Sequence, residues 1–490
     1  MSLAMLRTAL PLILCGGGVV LLLLAMALFR RSRGHSLLAA GTLLATLVAA
    51  LRVPVLPQVN LGLLLTWDPL ARFGLVLAAA AGLAGLALGG RPGAGERDRE
   101  GDEFPLLVVV AVFGAGAMVC ARHLGGFFLG LETLGAALFA LVGFPLSLRS
   151  LEAAVKYLVL ASVAAAFFLF GAALIFAQQG SLLLDRLLPA GGTIPPLTTA
   201  GLTLVLAGVA FKLALVPFHL WVADVYQGAP LPATALVATL SKGAAGVFLV
   251  RLVAVTPPAG GRGLTSALAL LAVLSMLGGN LLALRQRNLK RLLAYSSIAQ
   301  LGYLVVALTT PGPRGVTAAL LTLIVYTVAV FGALAVLHRL DPGEAAEADL
   351  ESVRGLYWRR PVLGAVFTLF LLSLAGVPLT AGFIGKWAIL TAGFTRWPLL
   401  LVLLAGSVIG FYYYLRVVRV MAAEPRAAGE GEPPLPARAS PGSGPALVLA
   451  ALLLLWLGIL PGVWWHWLAR IAVALLPGGP GGLPAAGIMD

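Results

Sequence analysis

The stretch that decides the reading of this chain is FKLALVPFHLW, residues Phe211 to Trp221. A lysine, Lys212, stands in a run of Ala, Val, Leu and Phe, and Pro217 follows five residues later. The run has the composition of a membrane-spanning helix, where a charge is expensive. Pro217 has no N–H, and its ring clashes with the carbonyl four residues back, that of Leu213, so the helix must kink or break. Freed carbonyls inside a membrane find partners only where the backbone is enclosed by protein or lines a water-filled cavity. The break therefore favours a hydrated pocket at mid-membrane depth, with Lys212 at its edge. The plainer alternative is a simple proline kink with Lys212 reaching to the interface. The position of Lys212 well inside its run favours function, because intramembrane ionisable residues are usually functional.

The rest of the chain supports a membrane setting. Of 490 residues, 60% are hydrophobic and 11% charged, where a soluble domain carries about 25% charged residues. A span needs about 20 apolar residues. Fourteen such runs are legible, near 8–29, 36–53, 69–90, 104–122, 124–147, 152–177, 196–225 (broken), 232–255, 264–284, 290–309, 315–338, 360–395 (broken), 398–421 and 444–467. The fold class is thus an all-α polytopic membrane protein. The first run is longer than a signal-peptide core and lacks a small-residue cleavage site, so it reads as a retained helix. Residues 91–103 and 424–444 read as solvated loops. The second is rich in Pro and Gly, a flexible linker that leaves one isolated span behind it.

A net charge of +14 raises the question of nucleic acid, but no basic stripe with interleaved aromatics is present. The arginines sit mainly in short loops. RRSR (Arg30, Arg31, Arg33), RQRNLKR (Arg285 to Arg291), the segment Arg339 to Arg360, and Arg416 with Arg419 all follow odd-numbered runs. Of the basic residues outside the runs, 19 fall on that side and 10 on the other. The positive-inside rule then places those loops in the cytoplasm and both termini outside. Four lysines remain within or near the runs: Lys156, Lys212, Lys242 and Lys386. All 28 arginines stay in loops or near run ends, and Lys290 is the only loop lysine. Arginine is effectively always charged, whereas a buried lysine can give up its proton.

Other residues join Lys212. Leu213–Pro217 (LALVP) resembles Leu374–Pro378 (LAGVP) 161 residues later, and Lys386 follows Pro378 by eight. Paired interruptions in two halves of a membrane protein point to its ion path. Glu132, in GLETLGAAL, is the clearest carboxylate inside a run; its bland reading is a neutral acid satisfied by a backbone carbonyl. Lys242, in ATLSKGAAG, is flanked by small residues that permit close packing or water entry; its bland reading is a lysine that neutralises Glu132. Lys156 lies one turn from Glu152, and an i,i+4 surface pair is an adequate explanation for it. His219, Tyr226 and Gln300 could help hold water between sites. Cys15 and Cys120 form no CxxC pattern and suggest no disulfide framework or iron–sulfur site. The five histidines show no metal-ligand spacing, and no nucleotide-binding motif is present. No cofactor or metal is expected in this chain, and its energy must come from an ion gradient or a partner.

FKLALVPFHLWVADVYQGAP, SKGAAG, NLKRLLAYSSIAQLGY and SLAGVPLTAGFIGKW resemble the antiporter-like membrane subunits of respiratory complex I and of Mrp-type cation/proton antiporters. EAAVKYLVL and WVADVYQGAP resemble the complex I branch most. The resemblance covers roughly residues 100–420. It implies fourteen helices: three in 1–103, a first inverted repeat of helices 4–8 in 104–256, a second of helices 9–13 in 257–423, and a linker with helix 14 in 424–490. It implies broken helices 7 and 12, at Pro217 and Pro378. It also implies a proton path through Glu132, Lys212, Lys242 and Lys386, with Glu132 and Lys212 meeting in one pocket. Lys156, His219 and Gln300 are secondary candidates. NADH, FMN, iron–sulfur clusters and quinone would belong to partner subunits, and other antiporter-like subunits would be neighbours in a bacterial inner membrane. An Mrp-type or hydrogenase-linked antiporter subunit, and a structural subunit that pumps nothing, remain as alternatives. Two departures stand out. The family commonly has histidine where this chain has Gln300, which cannot titrate. Its usual proline before Asp224 is Ala223 here, which should soften a helix start near Asp224.

The charge count predicts both termini on the periplasmic side. A cysteine placed at position 436 of the 424–444 linker should react with an impermeant thiol reagent only after the cells are permeabilised. Labelling of intact cells would reverse the assignment.

Overall fold

A computed structural model describes residues 3–29, 34–55, 60–89, 103–187, 194–256, 262–340, 348–425 and 442–476. Arg30, Arg31 and Arg33, position 436, and most of the 91–103 and 424–444 segments lie outside the described residues. The described chain is almost wholly helical: α1 (Leu3–Leu28), α2 (Gly34–Arg52), α3 (Pro69–Gly89), α4 (Phe104–Val119), α5 (Leu124–Gly143), α6 (Leu148–Gln179), α7 (Pro196–Leu213), α8 (Leu220–Gly228), α9 (Leu231–Leu236), α10 (Lys242–Ala254), α11 (Arg262–Leu284), α12 (Leu289–Leu308), α13 (Pro313–Leu340), α14 (Leu356–Arg359), α15 (Pro361–Ala375), α16 (Ala381–Ala392), α17 (Trp397–Ala422), α18 (Ser443–Ile459) and α19 (Pro461–Leu475). A π-helical turn, Val237–Ser241, joins α9 to α10. Among the described residues, 11 helices are long and apolar enough to cross a membrane, with α9, the π turn and α10 counted as one. This is a multi-pass membrane protein. Helices suit that setting because each satisfies its own backbone polar groups.

Each apolar run read from the sequence coincides with helix, and the expected breaks at Pro217 and Pro378 fall between α7 and α8 and between α15 and α16. The last run is a correction. It is not one straight helix: α18 and α19 meet at 86°. Pro461 starts α19, and a proline there clashes with the carbonyl four residues back, so α18 cannot continue through it. Both pieces are held, α18 by α3, α13, α15 and α16, and α19 by α3 and α13. A second correction concerns Ala223, which lies inside α8; that helix begins at Leu220, not near Asp224.

Helix α13 is the hub. Nearly all of it is buried, and it packs against α9, α10, α12, α15, α16, α18 and α19. It therefore separates the Lys242 side of the molecule from the Lys386 side. The outer helices pack closely through small residues. A Cβ on Gly201 of α7 would come within 2.6 Å of the Gly171 carbonyl oxygen of α6, so only glycine permits that approach.

Polar clasps tie the two ends of the bundle. At one end, Asp224 of α8 accepts hydrogen bonds from Lys156 of α6 (3.2 Å) and Arg291 of α12 (2.6 Å). Lys156 also pairs with Glu152 at 2.7 Å, so the expected i,i+4 pair is present within a wider network. At the other end, Asp68 caps α3 by accepting from the Ala71 N–H at 2.7 Å, with Pro69 opening the helix, a pairing suited to a helix start. The same carboxylate makes a two-pronged ion pair with Arg251 of α10, which also donates to the Val119 carbonyl at 3.1 Å. Arg251 sits near a helix end, as expected of every arginine, but it is only 5% exposed, and its pairing with Asp68 went unread in the sequence.

Removing one member of a buried pair leaves the other charge uncompensated, at about 3–5 kcal/mol. Arg251→Leu should therefore lower the thermal stability of the purified protein sharply, and adding Asp68→Asn should restore much of it. A single variant as stable as the parent would show that the clasp contributes nothing.

Candidate functional site

The first break is built by the backbone around Lys212. Helix α7 ends at Leu213, and Ala214 takes the left-handed conformation (φ 58°). The Leu215 N–H returns to the Ala210 carbonyl at 2.9 Å, a helix stop of the Schellman type. The groups released here are taken up by side chains. The Trp221 indole donates to the Phe211 carbonyl (3.1 Å), and the Val216 N–H donates to Ser275 Oγ of α11 (2.9 Å). Lys212 thus occupies the last turn of a helix, where the carbonyl dipoles favour a cation. It is 2% exposed.

Its ammonium donates to the Tyr157 hydroxyl at 2.9 Å and stands 5.3 Å from the centre of that ring. Tyr157 in turn packs on Trp221, with ring centres 5.0 Å apart. The expected contact with Glu132 is not made. Glu132 is exposed on the outer face of α5 and forms no ion pair among the described residues. The nearest approach of α5 is at Gly135, where a Cβ would lie 3.8 Å from Lys212 Nζ. Positions three apart are about 60° apart around a helix, so Glu132 stands to one side of the face that Lys212 meets.

Lys242 begins α10 directly after the π turn, and such turns appear often at functional sites. It is fully buried, and its Nζ has no protein hydrogen-bond partner. Its Nζ stands 5.1 Å from the centre of the Tyr226 ring. Lys242 therefore does not neutralise Glu132, the bland reading of its sequence position. Tyr226, expected from the sequence to help hold water between sites, presents its ring to Lys242. His219 lies in the first break with Nδ1 buried and unpaired, and it meets none of the lysines.

The second break repeats the logic with different residues. Helix α15 ends at Ala375, and Gly376 turns left-handed (φ 83°), a conformation glycine adopts freely. Gln300 of α12 donates to the Leu374 carbonyl at 2.7 Å, and Lys386 of α16 reaches back to the Ala375 carbonyl at 2.7 Å. The Gly382 N–H is taken by Ser373 Oγ at 3.1 Å. Gln300 is thus a backbone cap at the break, a task for which its amide donor suffices. A pocket opens beside it, lined among others by Gln300, Tyr303, Thr322, Tyr326, Ser373 and Lys386. Lys386 Nζ stands 5.0 Å from the Tyr303 ring centre. The Tyr303 hydroxyl accepts from Asn280 at 3.0 Å, and Tyr413 donates to the same amide at 3.1 Å.

Three lysines in three settings therefore share one feature, a tyrosine ring 5.0–5.3 Å from the ammonium. A cation over an aromatic face gains about 2 kcal/mol or more when desolvated. Tyr157 and Tyr303 were missed in the sequence because tyrosine in an apolar run looks like packing. Lys156 is set apart from this group, exposed in its clasp with Glu152 and Asp224. Cys15 and Cys120 are buried free thiols, and no group of three or more His, Cys, Asp or Glu suited to a metal occurs among the described residues.

The transmembrane family described as NADH:quinone oxidoreductase/Mrp antiporter matches residues 121–411. The chain is 39% identical over 476 residues to NADH-quinone oxidoreductase subunit N of Ectopseudomonas mendocina, covering 92% of this chain and 93% of that one. It is 43% identical over 387 residues to subunit N of Nitrosospira multiformis, covering 75% of each. Among solved structures it resembles a chain of respiratory complex I from Thermus thermophilus (TM-score 0.79, 35% identity, 93% of this chain and 98% of that one). It also resembles a chain of an archaeal membrane-bound sulfane sulfur reductase (TM-score 0.81, 25% identity, 97% and 98%). The Mrp complex of Dietzia sp. DQ12-45-1b shares the fold (TM-score 0.82, 19% identity, 97% and 98%). With the matched segment covering both broken helices and all three tyrosine-paired lysines, the chain belongs to the NADH:quinone oxidoreductase/Mrp antiporter transmembrane family.

Proposed function

We propose that this chain is a proton-translocating, antiporter-like membrane subunit of a bacterial NADH-quinone oxidoreductase, of the subunit N type. The observation that carries the reading is the set of lysines, Lys212, Lys242 and Lys386, held inside the bundle over tyrosine rings and without a carboxylate partner. A lysine so held is easily switched. Each 1.36 kcal/mol of differential interaction moves its proton affinity by one pKa unit, so gaining or losing one hydrogen bond is enough to bias uptake or release. Lys212 has such a bond to Tyr157, and Lys386 has one to the freed carbonyl of Ala375.

Glu132 enters from outside this frame. A carboxylate on the outer face of a membrane helix is costly unless covered, and a neighbouring membrane subunit is the natural cover. Turning α5 by the roughly 60° that separates positions 132 and 135 would carry it toward the Gly135 face and Lys212. Two buried groups without a protein partner, Lys242 Nζ and Ser241 Oγ, call for water to satisfy them, which supports the same path.

NADH oxidation, FMN, the iron–sulfur clusters and quinone reduction are assigned to partner subunits, and this chain contributes translocation. Both termini are placed in the periplasm, and residues 104–256 and 257–423 are read as the inverted repeats. The greater identity to subunit N than to the Mrp relative favours this reading over an Mrp-type antiporter. The buried Lys212 and Lys242 weigh against a purely structural subunit.

The test uses the assembled complex in proteoliposomes. Lys212→Arg keeps the charge but will not release a proton, so it should lose at least tenfold in proton pumping, as should Lys212→Met. An arginine variant that assembles and pumps normally would make Lys212 a fixed anchor and end the switch reading. Gln300→Leu leaves the Leu374 carbonyl unmet, at about 1–3 kcal/mol, and should slow turnover, while Gln300→His should be tolerated. A harmless leucine would mean that position 300 only packs.

A further inference from the structure

Tyr326, on the central helix α13, is 2% exposed and touches both lysine sites at once. Its hydroxyl donates to the Ala238 carbonyl at 3.0 Å. Ala238 lies within the π turn Val237–Ser241, and Lys242 follows that turn directly. A π turn departs from the regular helical pattern, and such turns appear often at functional sites. The same Tyr326 side chain lines the pocket that holds Lys386 and Gln300. One turn earlier on α13, Thr322 lines that pocket as well, and a Cβ on Gly385 would lie 3.6 Å from its Oγ1, so α16 packs directly on this face. Around the hydroxyl cluster Ser297 and Tyr226, the latter being the ring that faces Lys242.

We propose that Tyr326 is a positioning residue that couples the Lys386 pocket to Lys242. The proposal rests on the reading of these lysines as proton carriers and adds the link between them. A phenol is rigid: ring and hydroxyl move together. A rearrangement in the Lys386 pocket that turns the ring withdraws the hydroxyl from the Ala238 carbonyl and loosens the turn that aims Lys242. The Ala238 carbonyl, four residues before Lys242, then loses a donor close in sequence to a lysine whose ammonium has no protein partner. Coupling runs in both directions, because a contact that differs between two states links whatever biases either one. The titratable groups around this joint are Tyr226 from α8, Lys242 from α10, Tyr303 from α12, Tyr414 from α17 and Lys386 from α16.

Tyr326→Phe in the assembled complex, reconstituted in proteoliposomes, keeps the ring and removes only the hydroxyl. It should lower pumping about fivefold or more and displace the alkaline limb of the pH–rate profile by about half a unit or more. Difluorotyrosine incorporated at Tyr326 keeps shape and assembly while making the hydroxyl a stronger donor, and it too should displace the profile. Lys242→Met serves as control: if it pumps normally, the proton-path reading falls. If Lys242→Met fails while the Phe and difluorotyrosine proteins keep the parental rate and profile, the coupling role of Tyr326 is overturned and the path reading stands. A Phe protein that is slower with an unmoved profile also overturns it, since loose packing alone would do that.

Discussion

A lysine enclosed in a membrane helix bundle must have its ammonium stabilised, or its proton removed, by something within a few ångströms. The arrangement of this molecule follows from that constraint. Three lysines are held inside, and each is met by a tyrosine ring rather than by a carboxylate. A carboxylate partner would bind the ammonium so firmly that the proton stays. Here each ammonium meets a tyrosine ring instead, with a hydroxyl as well for Lys212 and a single carbonyl as well for Lys386.

The broken helices serve the same need. At each break the helix ends in a left-handed residue and its loose backbone groups are taken up by particular side chains. Trp221 and Ser275 do this for the first break, and Gln300, Ser373 and Lys386 for the second. The second break makes its lysine one of the caps, so any change in the protonation of Lys386 alters a backbone contact as well as a charge. At the first break the lysine stands free of the backbone and leans on Tyr157. Two breaks of similar sequence thus place their lysines in unlike chemical surroundings.

Charges that stay charged are kept at the two ends of the bundle. Lys156, Asp224 and Arg291 clasp α6, α8 and α12 at one end, and Asp68 with Arg251 clasps α3, α4 and α10 at the other. Fixed ends and a switchable middle are a consistent division. The clasps resist sliding of the helices, while the interior keeps groups whose charge can change. Helix α13 runs through that middle, and Tyr326 gives it a hydrogen bond on the Lys242 side and a pocket wall on the Lys386 side.

The amino-acid sequence alone determined the helical membrane architecture, the placement of both breaks and the identity of the lysines. Those properties are local: twenty apolar residues make a span, a proline breaks it, and a lysine in such a run stands out against its neighbours. It did not determine which residue faces which. Glu132 lies on an outer face and Lys212 turns to Tyr157, because partner choice depends on the rotation of each helix about its own axis, which one apolar run does not encode. Tyr157, Tyr303 and Tyr326 looked like packing residues for the same reason, and the Asp68–Arg251 clasp joins positions 183 residues apart. The bend at Pro461 went unread within the run 444–467, and the two helices that meet there at 86° both pack against α13. Such features arise only when helices close on one another, since tertiary packing alone decides which buried polar groups end up within reach.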